Sequence, residues 1–243
     1  MREGMIVLLR QLPVLILSLF SLCAVASEPS SQGISFSASR IIYMEEDRNG
    51  VTLEIQNSNA APYLLQSWIV HSVQSETVLD ISPFIVTPPL SRIEPDSALS
   101  LRIRRNAQAL PDDRESVFFI SIRAIPTSDA IKETDQLIIT VTSKMKIFYR
   151  PQELARRAIA DIRGQLRFRL QKGELIAQNP TPYWLTFSEL RLGGRAVSEV
   201  ALRQMVPPYG EMRYPVTGAT TGVISWRLVD EDGWETPPER RTL

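Results

Sequence analysis

Cysteine and histidine are almost missing from this chain. Cys23 and His71 are the only ones among 243 residues, so His-rich metal sites, thiolate sites and Cys–His catalytic pairs lack their ligands. Lysine is scarce too: Lys132, Lys144, Lys146 and Lys172 are the whole set. Neither charge is in excess, since 27 Lys and Arg stand against 27 Asp and Glu. A neutral chain gives no electrostatic reason to expect nucleic acid as a partner. No G-x-S-x-G, G-x-G-x-x-G, P-loop or H-E-x-x-H motif occurs. The sequence therefore suggests no catalytic residue, no metal and no cofactor. What is present is an ordinary globular balance, 22% charged and 44% hydrophobic, which excludes disorder. The length suits two domains of about a hundred residues, each able to bury a core.

The one long apolar stretch, residues 12–22, is too short and too interrupted by Pro13, Ser18 and Ser21 to span a bilayer. With Arg2 and Arg10 before it and Ala24-Val25-Ala26 after it, residues 1–26 read as a secretory signal peptide. Cleavage there removes Cys23. The exported chain then has no disulfide and must hold itself together by core burial. Nothing after the signal reads as a membrane insertion.

The dominant signal in the rest is period two. Residues 51–56 alternate apolar and polar after the Asn49-Gly50 turn signal, and residues 35–43 are expected to pair back on them as one antiparallel strand. Residues 63–70 follow, with Trp68 as a core anchor, then 97–104, 117–125 and 136–149. Short strands between Pro- and Asn-rich turns point to an antiparallel sandwich, with a barrel as the alternative. Arg150-Pro151 marks a domain boundary, because proline cannot continue a ladder. Residues 152–161 read as a helical turn or connector. A second all-β unit runs through 166–170, a Lys172-Gly173 turn, 174–178, 183–192, a Gly193-Gly194 turn, 211–216 and 223–229, and 237–243 reads as a loose tail. The expected organisation is thus 1–26 leader, 27–150 first domain and 151–243 second domain.

Two places hold unusual chemistry. Asp230-Glu231-Asp232 is an acidic cluster before Gly233. It reads either as a solvated turn or as half of a carboxylate pair for glycoside hydrolysis. On residues 136–149, Leu137, Ile139, Val141, Met145 and Ile147 share one face, while Thr140, Thr142, Lys144 and Lys146 lie on the other. That is either a sheet strand with a wet face or a strand whose apolar side chains are offered to a partner.

At this strand the sequence resembles the PapD-like periplasmic pilus-assembly chaperones of the chaperone–usher pathway. Lys144-Met145-Lys146-Ile147-Phe148-Tyr149-Arg150-Pro151 resembles the end of that family's seventh strand and its hinge. The segment from Leu110 to Phe118, with Glu115-Ser116, resembles the signature before its sixth strand. Pro62-Tyr63, Thr87-Pro88-Pro89 and Asn179-Pro180-Thr181-Pro182-Tyr183 match further regions in family order. The resemblance implies an all-β protein of two immunoglobulin-like sandwiches set as an L or boomerang. It implies a non-enzymatic periplasmic chaperone that caps pilin or fimbrial subunits by donor-strand complementation and passes them to an outer-membrane usher. When free, a second copy of the chain is a further partner that would hide the donor strand. Carried over residue by residue, Leu137, Ile139 and Val141 are the donor row. Arg40 and Lys146 anchor the subunit's terminal carboxylate. Glu115, Arg150 and an acid near 230 form an interdomain ionic set. Here the chain departs from the family turn, which has one acid; Asp230 is the choice and Glu231 the alternative. The competing readings are a secreted two-domain adhesin or pilus component, and a hydrolase built on the acids near 230.

Overall fold

A computed structural model describes residues 33–72, 82–127, 140–216, 218 and 222–243. The leader at 1–26 and the donor residues Leu137 and Ile139 lie outside them. The alternating segments become strands, and residues from Gly33 onward gather into one unit of two β-sandwiches. In the first, β1 (Ile34–Phe36), β3 (Val51–Asn57), β7 (Ser97–Arg105) and β5 (Phe84–Thr87) form one sheet in the order β1-β3-β7-β5. The facing sheet contains β2 (Arg40–Met44), β9 (Val141–Arg150), β8 (Ser116–Pro126), β4 (Tyr63–Val70) and β6 (Leu90–Ile93), in the order β2-β9-β8-β4-β6. Alternate residues of both sheets meet in the core: Leu53, Ile55, Leu101 and Ile103 from one, Ile69, Ile120, Ile147 and Tyr149 from the other.

Two expectations are corrected in this sandwich. Residues 35–43 are not one strand. β1 pairs antiparallel with β3, and Ser37 is fastened to Glu54 by N–H to carbonyl at 3.0 Å and by its hydroxyl accepting the Glu54 N–H at 3.1 Å. The chain then crosses to the other sheet, where β2 pairs in parallel with β9, Arg40 opposite Lys146. A parallel neighbour must be reached by a crossover, not a hairpin, and pattern alone cannot show it. Trp68 is buried but outside the main core. Its parity in β4 turns it to the outer face, where it packs with Val70 and Phe119 and, from the second sandwich, Met205. β5 and β6 lie where Thr87-Pro88-Pro89 matches a strand region of the family, but the alternation pattern does not mark them, because their short alternations flank that turn.

The second sandwich has a sheet of β10 (Arg167–Gln171), β11 (Glu174–Gln178) and β14 (Glu211–Pro215). It faces β13 (Arg195–Ala196), β12 (Phe187–Leu192), β15 (Val223–Leu228) and β16 (Glu239–Thr242). Two short helices among the described residues, α1 (Ile159–Ile162) and α2 (Glu199–Leu202), pack Ile159 and Leu202 into its core. Leu175, Leu190, Tyr214 and Trp226 fill the core. The supposed loose tail is β16, paired antiparallel along β15. Its Glu-Arg-Arg-Thr sequence has no apolar alternation to read, because an edge strand can be charged throughout. Arg241 fixes it: the guanidinium donates to the carbonyls of Leu166 at 2.6 Å and Gly164 at 2.9 Å and lies 5.7 Å from the Trp226 ring.

Arg241→Ala therefore removes both donors and a cation–π contact. We expect it to lower unfolding free energy by about 1–3 kcal/mol in urea denaturation. A neutral effect would mean that the Arg241 contacts contribute nothing to stability.

Candidate functional site

The parallel register of β2 and β9 sets two cations side by side. Arg40 and Lys146 are ladder partners at the side of the second sandwich. Arg40 Nη1 donates to the Val229 carbonyl at 3.3 Å, and its guanidinium lies 5.9 Å from the Phe148 ring centre. Its Nε is buried with no hydrogen-bond partner among the described residues. Lys146 Nζ reaches Thr186 Oγ1 at 3.4 Å. Thr186 and Val229 are themselves joined, Val229 N–H to Thr186 carbonyl at 2.9 Å. One rung of the second sandwich thus holds both cations of the first. Burial lowers the Arg40 pKa, against the pull of Asp230, Glu231 and Glu115. Burial, and then the Arg40 charge, push Lys146 down to about 8. Two like charges half out of water are an unfavourable arrangement that a nearby anion would relieve. Beside Lys146 a cavity of about 370 Å³ opens, lined by Thr186, Phe187, Ser188, Glu199, Leu202 and Arg203.

The cation pair also marks where the sheet stops. β8 runs along one side of β9 from Val141 to Tyr149, but β2 covers the other side only from Lys146 to Arg150. Among the described residues, positions 141–145 have no strand on that side. Met145, Ile147 and Tyr149 turn their side chains into the sandwich core. Val141 has the same parity but lies 59% exposed, so the apolar row runs on past the end of its own core. A cavity of about 350 Å³ lies beneath it, walled by Ile34, Phe36, Tyr63, Ile122, Ala124 and Val141.

Arg150, the last residue of β9, is buried between the sandwiches with side-chain exposure of 2%. Its Nε donates to Glu115 Oε1 at 2.7 Å, and its Nη1 to Glu231 Oε1 at 2.9 Å and to the carbonyls of Ala155 and Arg156 at 2.8 and 2.6 Å. The Tyr183 ring lies 4.7 Å from the guanidinium carbon. Glu115 Oε2 accepts the Trp184 N–H at 2.7 Å, and Glu231 Oε1 also accepts the N–H groups of Ala158 and Ile159. Burial pushes the Glu115 carboxyl up to about 7, while Arg150 and the Trp184 N–H pull it the other way.

Asp230 is not part of this set. Its Oδ1 accepts the N–H groups of Asp232 at 3.0 Å and Trp234 at 2.8 Å, and Gly233 N–H returns to its carbonyl. The third member is Glu231. Asp at the first and Gly at the fourth position of a type I turn is a readable signature. It would have assigned Asp230 to the turn and left Glu231 for Arg150. Asp232 pairs with Arg157 at 2.8 Å, so each acid of the cluster has a structural partner. Thr186 and Val229 were missed. Thr186 sits inside an ordinary strand pattern, and Val229 acts through its carbonyl, which no side-chain pattern shows.

Two family models match the chain in succession. Residues 33–155 match "Pili and flagellar-assembly chaperone, PapD N-terminal domain", and residues 161–240 match "Pili assembly chaperone PapD, C-terminal domain". The probable fimbrial chaperone protein ElfD of Escherichia coli K12 is 32% identical over 217 residues, covering 88% of this chain and 89% of that protein. The chaperone protein FimC of the same strain is 34% identical over 208 residues, covering 84% and 82%. Among solved structures, the Salmonella enterica SafA pilin–SafB chaperone complex contains a chain that superposes with a TM-score of 0.77 at 27% identity, covering 87% of this chain and 97% of that one. The E. coli chaperone DraB superposes at 0.75 with 29% identity, covering 87% and 98%.

Removing Arg150 leaves two buried carboxylates without a counterion. Arg150→Ala should lower stability by about 3–5 kcal/mol. The folded-state pKa of Glu115 lies above its ordinary 4.5, so the folded state binds the extra proton, and ionising it costs stability as pH rises from about 4.5 to about 7. The loss in Arg150→Ala should accordingly be smaller at pH 5 than at pH 8. Equal midpoints for variant and wild type in guanidinium titrations at both pH values would contradict the burial argument.

Proposed function

The chain belongs to the PapD-like pilus-assembly chaperones, a non-enzymatic family, and from this we propose that it captures pilin subunits through the open edge of β9, with Arg40 and Lys146 holding the subunit's terminal carboxylate. The observation that carries the reading is that the unpaired stretch of β9 ends at two partly buried cations with no carboxylate partner among the described residues. An incoming strand would add its main-chain hydrogen bonds along 141–145. With its carboxylate at the Lys146 end, it runs parallel to β9 and in line with β2. The exposed Val141, and Leu137 and Ile139 before it, would then supply alternate side chains to the subunit's core. Full burial of each contributes about 1.5–3 kcal/mol before ordering costs.

Support for a pilin partner comes from the SafA–SafB complex, in which a pilin is bound to a chaperone of this fold. The rest of the reading follows the family. The site of action is the periplasm, reached through the leader at 1–26, and the captured subunit passes to an outer-membrane usher. A second copy of the chain would cover the donor strand between subunits. Glu115, Arg150 and Glu231 serve the mutual orientation of the sandwiches. The adhesin alternative is not favoured, since the relatives are chaperones.

Arg40→Ala and Lys146→Ala should leave the fold intact and weaken subunit binding by about 2–5 kcal/mol, read as Kd by calorimetry with purified subunit. The Lys146 pKa near 8 gives this interaction a pH dependence. Lys146 is charged below that value in the free protein, and a bound carboxylate raises its pKa. Affinity should be level below about pH 8 and fall above it, and Lys146→Ala should abolish the fall. Free-protein stability runs the other way: the folded pKa lies below the ordinary 10.5, so stability rises with pH between the two. Unchanged binding in both alanine variants would remove the anchor.

Val141→Ser tests the donor row. It should leave the melting temperature of the free protein nearly unchanged, because the residue is exposed, and weaken subunit capture by about 1–3 kcal/mol. If instead the free protein loses stability and capture is normal, the residue belongs to the domain's own core.

A further inference from the structure

We propose that Asp230 is a positioning residue for the carboxylate anchor: it ties the 230–234 turn so that the adjoining Val229 carbonyl is presented to Arg40. The inference rests on the anchor reading above and adds a residue to it. Four bonds close the turn. Asp230 Oδ1 accepts from the N–H groups of Asp232 and Trp234, the Asp230 N–H donates to the Trp234 carbonyl at 2.8 Å, and the Gly233 N–H donates to the Asp230 carbonyl at 3.2 Å. The turn is also packed tightly on the first sandwich. Gly233 has φ +90°, and a Cβ built there would collide with Ser39 Oγ, one residue before Arg40.

On one side of Asp230, Val229 accepts from Arg40 and is bonded to Thr186, which accepts from Lys146. On the other side, Glu231 accepts from Arg150. Asp230 thus stands between the residue that holds the anchor and the one that joins the ionic set, while touching neither cation through its side chain in any bond. Its charge has a separate effect. Of the acids around Arg40, Asp230 exerts the strongest pull on the guanidinium, so it competes with an incoming carboxylate. Geometry and charge therefore act in opposite senses, and two substitutions separate them. Asn retains the Oδ1 acceptor and drops the charge, whereas Ala drops both.

The experiment measures the Kd of purified full-length protein for a synthetic ten-residue peptide of alternating Val and Thr. The peptide carries either a free terminal carboxylate or an amide in its place. Wild type should prefer the carboxylate form. Asp230→Asn should keep that preference and bind the carboxylate peptide equally well or about two- to threefold more tightly. Asp230→Ala should bind it on the order of tenfold more weakly, as expected when two hydrogen bonds that set a geometry are lost, and its affinity for the amide peptide should hardly change. Thermal melts of both variants provide the folding control, and Glu231→Gln provides the comparator for an ionic-set defect. If Asp230→Asn weakens binding and lowers the melting temperature as Glu231→Gln does, Asp230 acts by charge and the proposal is overturned. Wild-type affinity in Asp230→Ala also overturns it. Equal wild-type affinity for the two peptides would fell the anchor reading itself, a failure distinct from that of Asp230.

Discussion

The Arg150 guanidinium lies between two carboxylates that come from different sandwiches, Glu115 just before β8 and Glu231 in the turn after β15, with all three side chains nearly out of solvent. A buried ion pair contributes little net stability compared with apolar side chains of the same size, but it is unforgiving of displacement. Moving either sandwich by an ångström or two would leave a charge unpaired in a dry place. The carbonyls of Ala155 and Arg156 and the N–H groups of Ala158 and Ile159 complete the coordination. The connector after β9 is therefore held by the same charges that join the two bodies. From this follows the position of the 229–231 segment, and with it the Val229 carbonyl at Arg40 and the Thr186 hydroxyl at Lys146. The cation pair is contributed by the first sandwich and held in place by the second.

An unpaired strand edge and an exposed apolar row are hazards that most β proteins avoid. Among the described residues they meet on β9 at 141–145, where that side of the strand is unpaired and Val141 is exposed, while β2 closes the sheet from Lys146 onward. The alternating face carries Thr142, Lys144 and Lys146, and lysine on an edge discourages unspecific pairing. The free protein also bears the cost of two like charges in a partly buried place. On the proposed reading both burdens would be lifted by the same event, the arrival of a strand that ends in a carboxylate.

How much of this was written in the sequence differs by kind of feature. Strands that alternate over six or more residues, such as β3, β4, β7 and β8, were legible, because one side of each faces a core. β16 was not, since its alternation is charged on both sides. The crossing between β1 and β2 was not, because both segments alternate well and only the bonds of Ser37 to Glu54 show where the ladder ends. In the site, Arg40, Lys146, Glu115 and Arg150 came from a resemblance and not from spacing. Asp230 was misassigned although the Asp…Gly turn signature was there to be read. Val229 had no signature, since a carbonyl is common to every residue and only its position matters.

Strand addition on the proposed reading also explains why a charge pair is needed where apolar burial already supplies affinity. A donor row alone cannot choose its register. A slip of one residue turns every side chain to the opposite face and is rejected by hydrophobicity. A slip of two residues preserves the alternation, and apolar contact alone barely opposes it. Such a slip moves the strand by roughly 6.6 Å. Charge-assisted bonds require about 2.7–2.9 Å, so the terminal carboxylate would lose Arg40 and Lys146 together. The cations would then stay desolvated and unpaired, a penalty on the order of several kcal/mol. Apolar burial is non-directional and tolerates either position; the anchor does not. Selection of one register therefore falls to the two cations, and how sharply they select depends on how firmly the Thr186–Val229 rung holds them.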